Sequence, residues 1–115
     1  MKRKLSAICF AAAFITSSAA LAATSNKVAV SDLHFQKTQN GLQNIQGLGQ
    51  NTSDKTLGNI IVKFNLLKND VVIGQAVDMA SNIEPGQKFT INAIYNSIQL
   101  QPDSFKLTEV LATEK

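Results

Sequence analysis

His34 is the chain's one histidine, and Asp32 stands two residues before it on the same face of a strand-like segment. An imidazole oriented by a carboxylate is half of a nucleophilic site, and it must also face a nucleophile. The spacing allows a local hydrogen bond and no more, so His34 is predicted on the surface as a candidate interaction residue. Metal chemistry has less to work with. The only cysteine, Cys9, lies in the N-terminal apolar run, and one imidazole without thiolates is no donor set for structural zinc. No D-x-[DN]-x-[DN]-G spacing occurs for calcium. Asp70 and Asp78 flank one segment and Asp103 and Glu109 another, which reads as solvated strand-end charge rather than a glycosidase pair. Gly47-Leu48-Gly49 lacks the following helix and later glycine of a phosphate loop. No cofactor, no metal and no enzymatic activity are expected.

The N-terminus carries an address. Met1-Lys2-Arg3-Lys4 is a basic n-region, Leu5 to Ile15 an apolar core, and Ala20-Leu21-Ala22 an A-x-A site with cleavage before Ala23. A membrane anchor needs on the order of 20 continuous apolar residues, and this run meets Thr16-Ser17-Ser18. Residues 1–22 are therefore predicted to be a cleavable secretory signal peptide, with export to the bacterial periplasm or beyond. The whole chain has 11 basic and 8 acidic residues, and the signal holds three of the basic ones. The remaining 23–115 domain is formally neutral, which removes the electrostatic reason to expect nucleic acid or an anionic membrane as partner. It also lacks cysteine, so its stability must come from a core rather than from disulfides.

Period-2 alternation recurs between Asn, Asp, Gly, Ser and Pro turns, the pattern of an all-β fold. Val28, Val30, Leu33 and Phe35 mark a first strand whose change of phase predicts a bulge near Ser31-Asp32. Gln39-Asn40-Gly41 reads as a turn, and Asn44 to Gln50 as a second strand whose Gly47 and Gly49 suggest close approach by a neighbour. Asn51, which heads an N-x-S sequence, reads as a turn asparagine. Leu57 to Leu67 is the most apolar stretch, with Ile60, Val62, Phe64 and Leu66 on one face of a central strand. Lys68-Asn69-Asp70 closes a hairpin into Val71 to Met79. Ile83-Glu84-Pro85-Gly86-Gln87 turns into Phe89, Ile91 and Ala93, and a last strand runs from Phe105 to Leu111. Residues 93–104 fit either a strand extension or a packed loop. Tyr95 there is either an exposed partner anchor beside Ile98 and Leu100 or a hydroxyl that closes a turn.

Asn51-Thr52-Ser53, Ile60 to Gly74 with its Phe64-x-Leu66 core, Pro85-Gly86 and Phe89 together resemble the FxLYD family of small immunoglobulin-like domains in exported bacterial proteins. Leu67 stands in place of the motif tyrosine and Lys68 in place of its aspartate. The resemblance implies a single immunoglobulin-like antiparallel β-sandwich of about six to seven strands, with Asn51, Phe64, Leu66, Pro85, Gly86 and Phe89 as structural positions. It implies no shared activity.

Two classes of function remain open. One is a non-catalytic interaction module that presents loops or a strand edge to another envelope or exported protein, in a stricter form an inhibitor or immunity protein for an exported toxin or enzyme. The other is a small-ligand binder or enzyme with a cleft near His34 and Asp32.

Overall fold

A computed structural model describes residues 25–115, so the expected signal segment and its cleavage residues Ala20, Ala22 and Ala23 lie outside the described residues. The described chain forms six strands: β1 (Val28–Lys37), β2 (Gln43–Asn51), β3 (Leu57–Lys68), β4 (Val71–Ile83), β5 (Lys88–Ile94) and β6 (Ser104–Glu114). Every pairing is antiparallel, and the strands lie in the order β1-β2-β5-β4-β3-β6. The fold is all-β, as expected. All six strands belong to one curled antiparallel sheet.

The curl arises between β4 and β5. These strands share one register pair, Val77 with Ile94. Beyond it they diverge, and the Asp78 carboxylate takes the Asn92 N–H at 2.8 Å in place of a backbone carbonyl. The two three-stranded leaves fold toward each other about this seam, and side chains at the ends of the outermost strands β1 and β6 meet with no ladder between them. At one end Lys27 Nζ lies 3.4 Å from a Glu114 carboxylate oxygen. At the other the Phe35 and Phe105 rings meet edge to face, with centroids 5.0 Å apart.

Alternation places the core between the leaves. Ile45, Ile91 and Ala93 of one leaf pack in a single cluster with Ile60, Val62, Phe64, Leu66, Ala76 and Val110 of the other. Phe64 is completely buried, and removing such a side chain from water contributes about 2–3 kcal/mol. The glycines of β2 serve this packing. A Cβ on Gly47 would come within 2.5 Å of Leu33 Cδ2, and one on Gly49 would overlap the Phe89 ring. Both side chains use the vacated volume to reach the interior.

Turn chemistry fixes the register. Asn69 and Asp70 both have positive φ, the two-residue turn that matches strand twist. At Glu84-Pro85-Gly86-Gln87, Pro85 presets φ and Gly86 takes φ +81°, while Gln87 N–H reaches Glu84 O at 3.0 Å. Residues Asn96 to Leu100, left open by the sequence, form a turn. Asn96 Oδ1 accepts from the Ile98 and Gln99 N–H groups, and Leu100 N–H donates to Asn96 O.

Candidate functional site

The bulge predicted near Ser31-Asp32 is present and shapes a concavity on the surface. Register shifts between Ser31 and His34, so Asp32 and Leu33 together stand opposite Gly47 of β2. Asp32 takes φ +58°, a left-handed conformation that asparagine, aspartate and glycine tolerate. The kink sends Leu33 inward over Gly47 and leaves Asp32 and His34 exposed. They border a depression of about 430 Å³ with Gln46, Leu48, Thr90 and Asn92 from β2 and β5. The depression opens on the outer surface of the first leaf.

Its polar groups can be assigned. His34 Nδ1 lies 2.7 Å from the Asp32 backbone carbonyl oxygen. A carbonyl only accepts, so Nδ1 carries a hydrogen, and in the single-proton tautomer Nε2 is the acceptor. The local hydrogen bond expected of this pair therefore uses the Asp32 backbone rather than its carboxylate. That carboxylate forms no ion pair among the described residues, whose two salt bridges are Lys27–Glu114 and Lys63–Glu109. Asn92 Oδ1 accepts from Asn44 Nδ2, while the buried Asn44 Oδ1 has no partner. A second depression of about 240 Å³ adjoins the first, sharing Asp32 and Leu48 and ending at Gln50 and Lys88.

Tyr95 is not an exposed anchor. Its ring is 7% exposed and packs edge to face near Phe35, and its hydroxyl donates to Gln43 Oε1 at 3.1 Å. Burial raises its pKa above the ordinary tyrosine value. The tyrosine thus closes a turn onto β2, and the exposed apolar residues of this region are its neighbours Ile94 and Ile98. The other singled-out residues are architectural. Asn51 is completely buried: Nδ2 donates to Lys55 O and Ile83 O, each at 2.8 Å, and Oδ1 accepts from Ser53 N–H and Ser53 Oγ–H. Phe64 and Leu66 are core, Phe89 is half-buried over Gly49, and Pro85-Gly86 is a turn. Of the flanking carboxylates, Asp103 Oδ2 accepts from Asn69 N–H at 3.0 Å, Asp78 accepts from Asn92 N–H and Glu109 pairs with Lys63.

The second leaf has an outward feature that alternation alone did not isolate. Register aligns Met79, Ile61 and Leu111 across β4, β3 and β6, and beside this row Val77 faces Ile94. Met79 is 62% exposed and Leu111 47%. The row ends at β6, whose other side pairs with no strand among the described residues. Polar pairs border it, Lys63 with Glu109 at 3.2 Å and Gln75 with Asn65 at 3.1 Å.

Among the described residues no group of three or more His, Cys, Asp or Glu side chains is placed to hold a metal ion. Fold and surface together define a small antiparallel all-β domain with two adjoining depressions on one leaf and an apolar row on the other. No family model, curated protein or solved structure matches the chain.

Proposed function

We propose that the protein is a non-catalytic interaction module of the bacterial periplasm or cell envelope, which binds an extended segment of another exported protein along β6. The observation that carries this reading is the apolar row Met79–Ile61–Leu111, which crosses three strands and runs out at an unpaired strand edge. An edge presents unmet N–H and C=O groups to any extended chain, and a flanking row of side chains selects which chain fits. An added strand placing an apolar residue beside Leu111 would continue the row. The basic n-region, apolar run and A-x-A site support export, and the FxLYD resemblance implies an immunoglobulin-like fold with no shared activity. A stricter form of the same reading is an inhibitor or immunity protein that inserts this edge into an exported toxin or enzyme.

A photo-crosslinking residue at Thr113, in the host cell, should give one adduct of defined mass. Leu111→Lys, which places a charge at the edge without touching the core, should abolish that adduct. Absence of any adduct at Thr113, or an adduct indifferent to Leu111→Lys, would refute the edge reading. The depression beside His34 favours a second reading, a small-ligand binder, because polar groups from three strands converge on it.

A further inference from the structure

We infer that the depression bordered by Asp32 and His34 is a receptor for a guanidinium group, the arginine side chain of a partner polypeptide. The inference rests on the interaction-module reading for the nature of the partner, and on the depression alone for its chemistry. Four side chains there can offer acceptors: the Asp32 carboxylate, His34 Nε2, the Gln46 amide oxygen and the Thr90 hydroxyl. Neither the Gln46 amide nor the Thr90 hydroxyl has a hydrogen-bond partner among the described residues. With Nδ1–H donated to the Asp32 carbonyl at 2.7 Å, the single-proton tautomer of His34 presents Nε2 as an acceptor. A planar group with five N–H donors and a fixed positive charge satisfies such a set, whereas an anion would face an unpaired carboxylate. A transition-metal ion would find one imidazole and one carboxylate beside two neutral oxygens, short of the donor set such an ion takes. Leu48, 37% exposed between the two depressions, offers apolar surface to the arginine methylenes.

Charge complementarity also gives the site a direction. Lys88 lines the far end of the adjoining depression but forms no salt bridge with Asp32. The carboxylate is therefore open to an incoming cation, and the bound segment is oriented with its cation toward His34 and away from Lys88. Asp32 is also where a bulge would accept glycine at no steric cost. Asp32→Gly and Asp32→Asn thus remove the charge while leaving the backbone a conformation it can adopt.

The test is a titration of the 15N-labelled protein with N-acetyl-L-arginine amide at low ionic strength, followed by amide chemical shifts, with N-acetyl-L-norleucine amide as the uncharged control. Saturable shifts should be confined to Asp32, His34, Gln46, Leu48, Thr90 and Asn92. Both Asp32 variants should weaken binding by roughly fivefold or more, and 0.5 M salt should do the same. Shifts of equal size at Glu109 and Glu114, equal response to norleucine amide, or unchanged binding in Asp32→Asn would each overturn the inference. Its failure is distinguishable from that of the module reading: crosslinking at Thr113 without arginine binding removes only the guanidinium site, and arginine binding without crosslinking removes only the edge.

Discussion

Replacing Asn51 by alanine should cost more than replacing most core methyl groups, although Asn51 is polar. Its side chain makes four hydrogen bonds while completely buried, two donated to Lys55 O and Ile83 O and two accepted from Ser53. The Ser53 groups and Lys55 O lie in the turn and regain water in part. Ile83 O, at the end of β4, loses its link to the β2–β3 connection. Counting about 1 kcal/mol for each of the three recoverable bonds, and about 1–3 kcal/mol for a carbonyl left without a partner, gives a destabilisation of about 4–6 kcal/mol. A domain of this size has total stability of roughly 5–14 kcal/mol, so Asn51→Ala removes a large part of it. Asn51→Asp is the sharper comparison. It keeps shape and both acceptor contacts but turns a carboxylate oxygen toward two carbonyls, so it should be at least as damaging as alanine at neutral pH. Urea unfolding with an unchanged m-value is the assay. A loss below about 1 kcal/mol for Asn51→Ala, or Asn51→Asp clearly more stable than Asn51→Ala, would refute the claim that satisfied burial is what Asn51 provides.

Gly49→Ala should destabilise by about 1–3 kcal/mol because the new methyl meets the Phe89 ring, and the double variant Gly49→Ala/Phe89→Ala should lose less than the sum of the two single changes in denaturant unfolding. Asp70→Gly should stabilise the β3–β4 hairpin by about 0.5–1 kcal/mol, since Asp70 holds φ +66° in a two-residue turn that favours glycine; a lower melting temperature would contradict this. Tyr95 has its pKa raised by burial, so it binds its proton more tightly folded than unfolded. Its contribution is full below the unfolded value near 10 and is lost as pH rises toward the folded one. Stability measured from pH 9 to 11.5 should therefore fall more steeply in the wild type than in Tyr95→Phe, and parallel curves would contradict the assignment.

What the sequence displayed was local. The alternation of Ile60, Val62, Phe64 and Leu66 marks a face, and all four are buried on it. The phase change before Leu33 marks the bulge, and Pro85-Gly86 marks the turn. What it hid depends on register between distant segments. Gln46 meets His34 on one side and Asn92 on the other, and nothing in any single segment announces that row. The Met79–Ile61–Leu111 alignment is of the same kind. Tyr95 was ambiguous because its neighbours Ile94 and Ile98 are as apolar as core residues yet exposed, so composition pointed both ways. The single curled sheet turns on one backbone pair and one carboxylate, details below the resolution of any periodicity.

The strand order has a consequence for timing. Only β1–β2 and β3–β4 form extended ladders between neighbours in the chain, since β4 and β5 share a single pair. The β2–β5 ladder joins Asn44 to Ile94, and the β3–β6 ladder joins Leu57 to Glu114. Loop closure over such separations must precede the contacts that reward it, which places folding of such chains in the millisecond-to-second range rather than in microseconds. Ribosomes add about 5–20 residues per second, and the second leaf cannot close until residues 104–114 exist. The core between the two leaves is thus incomplete until β6 has been made.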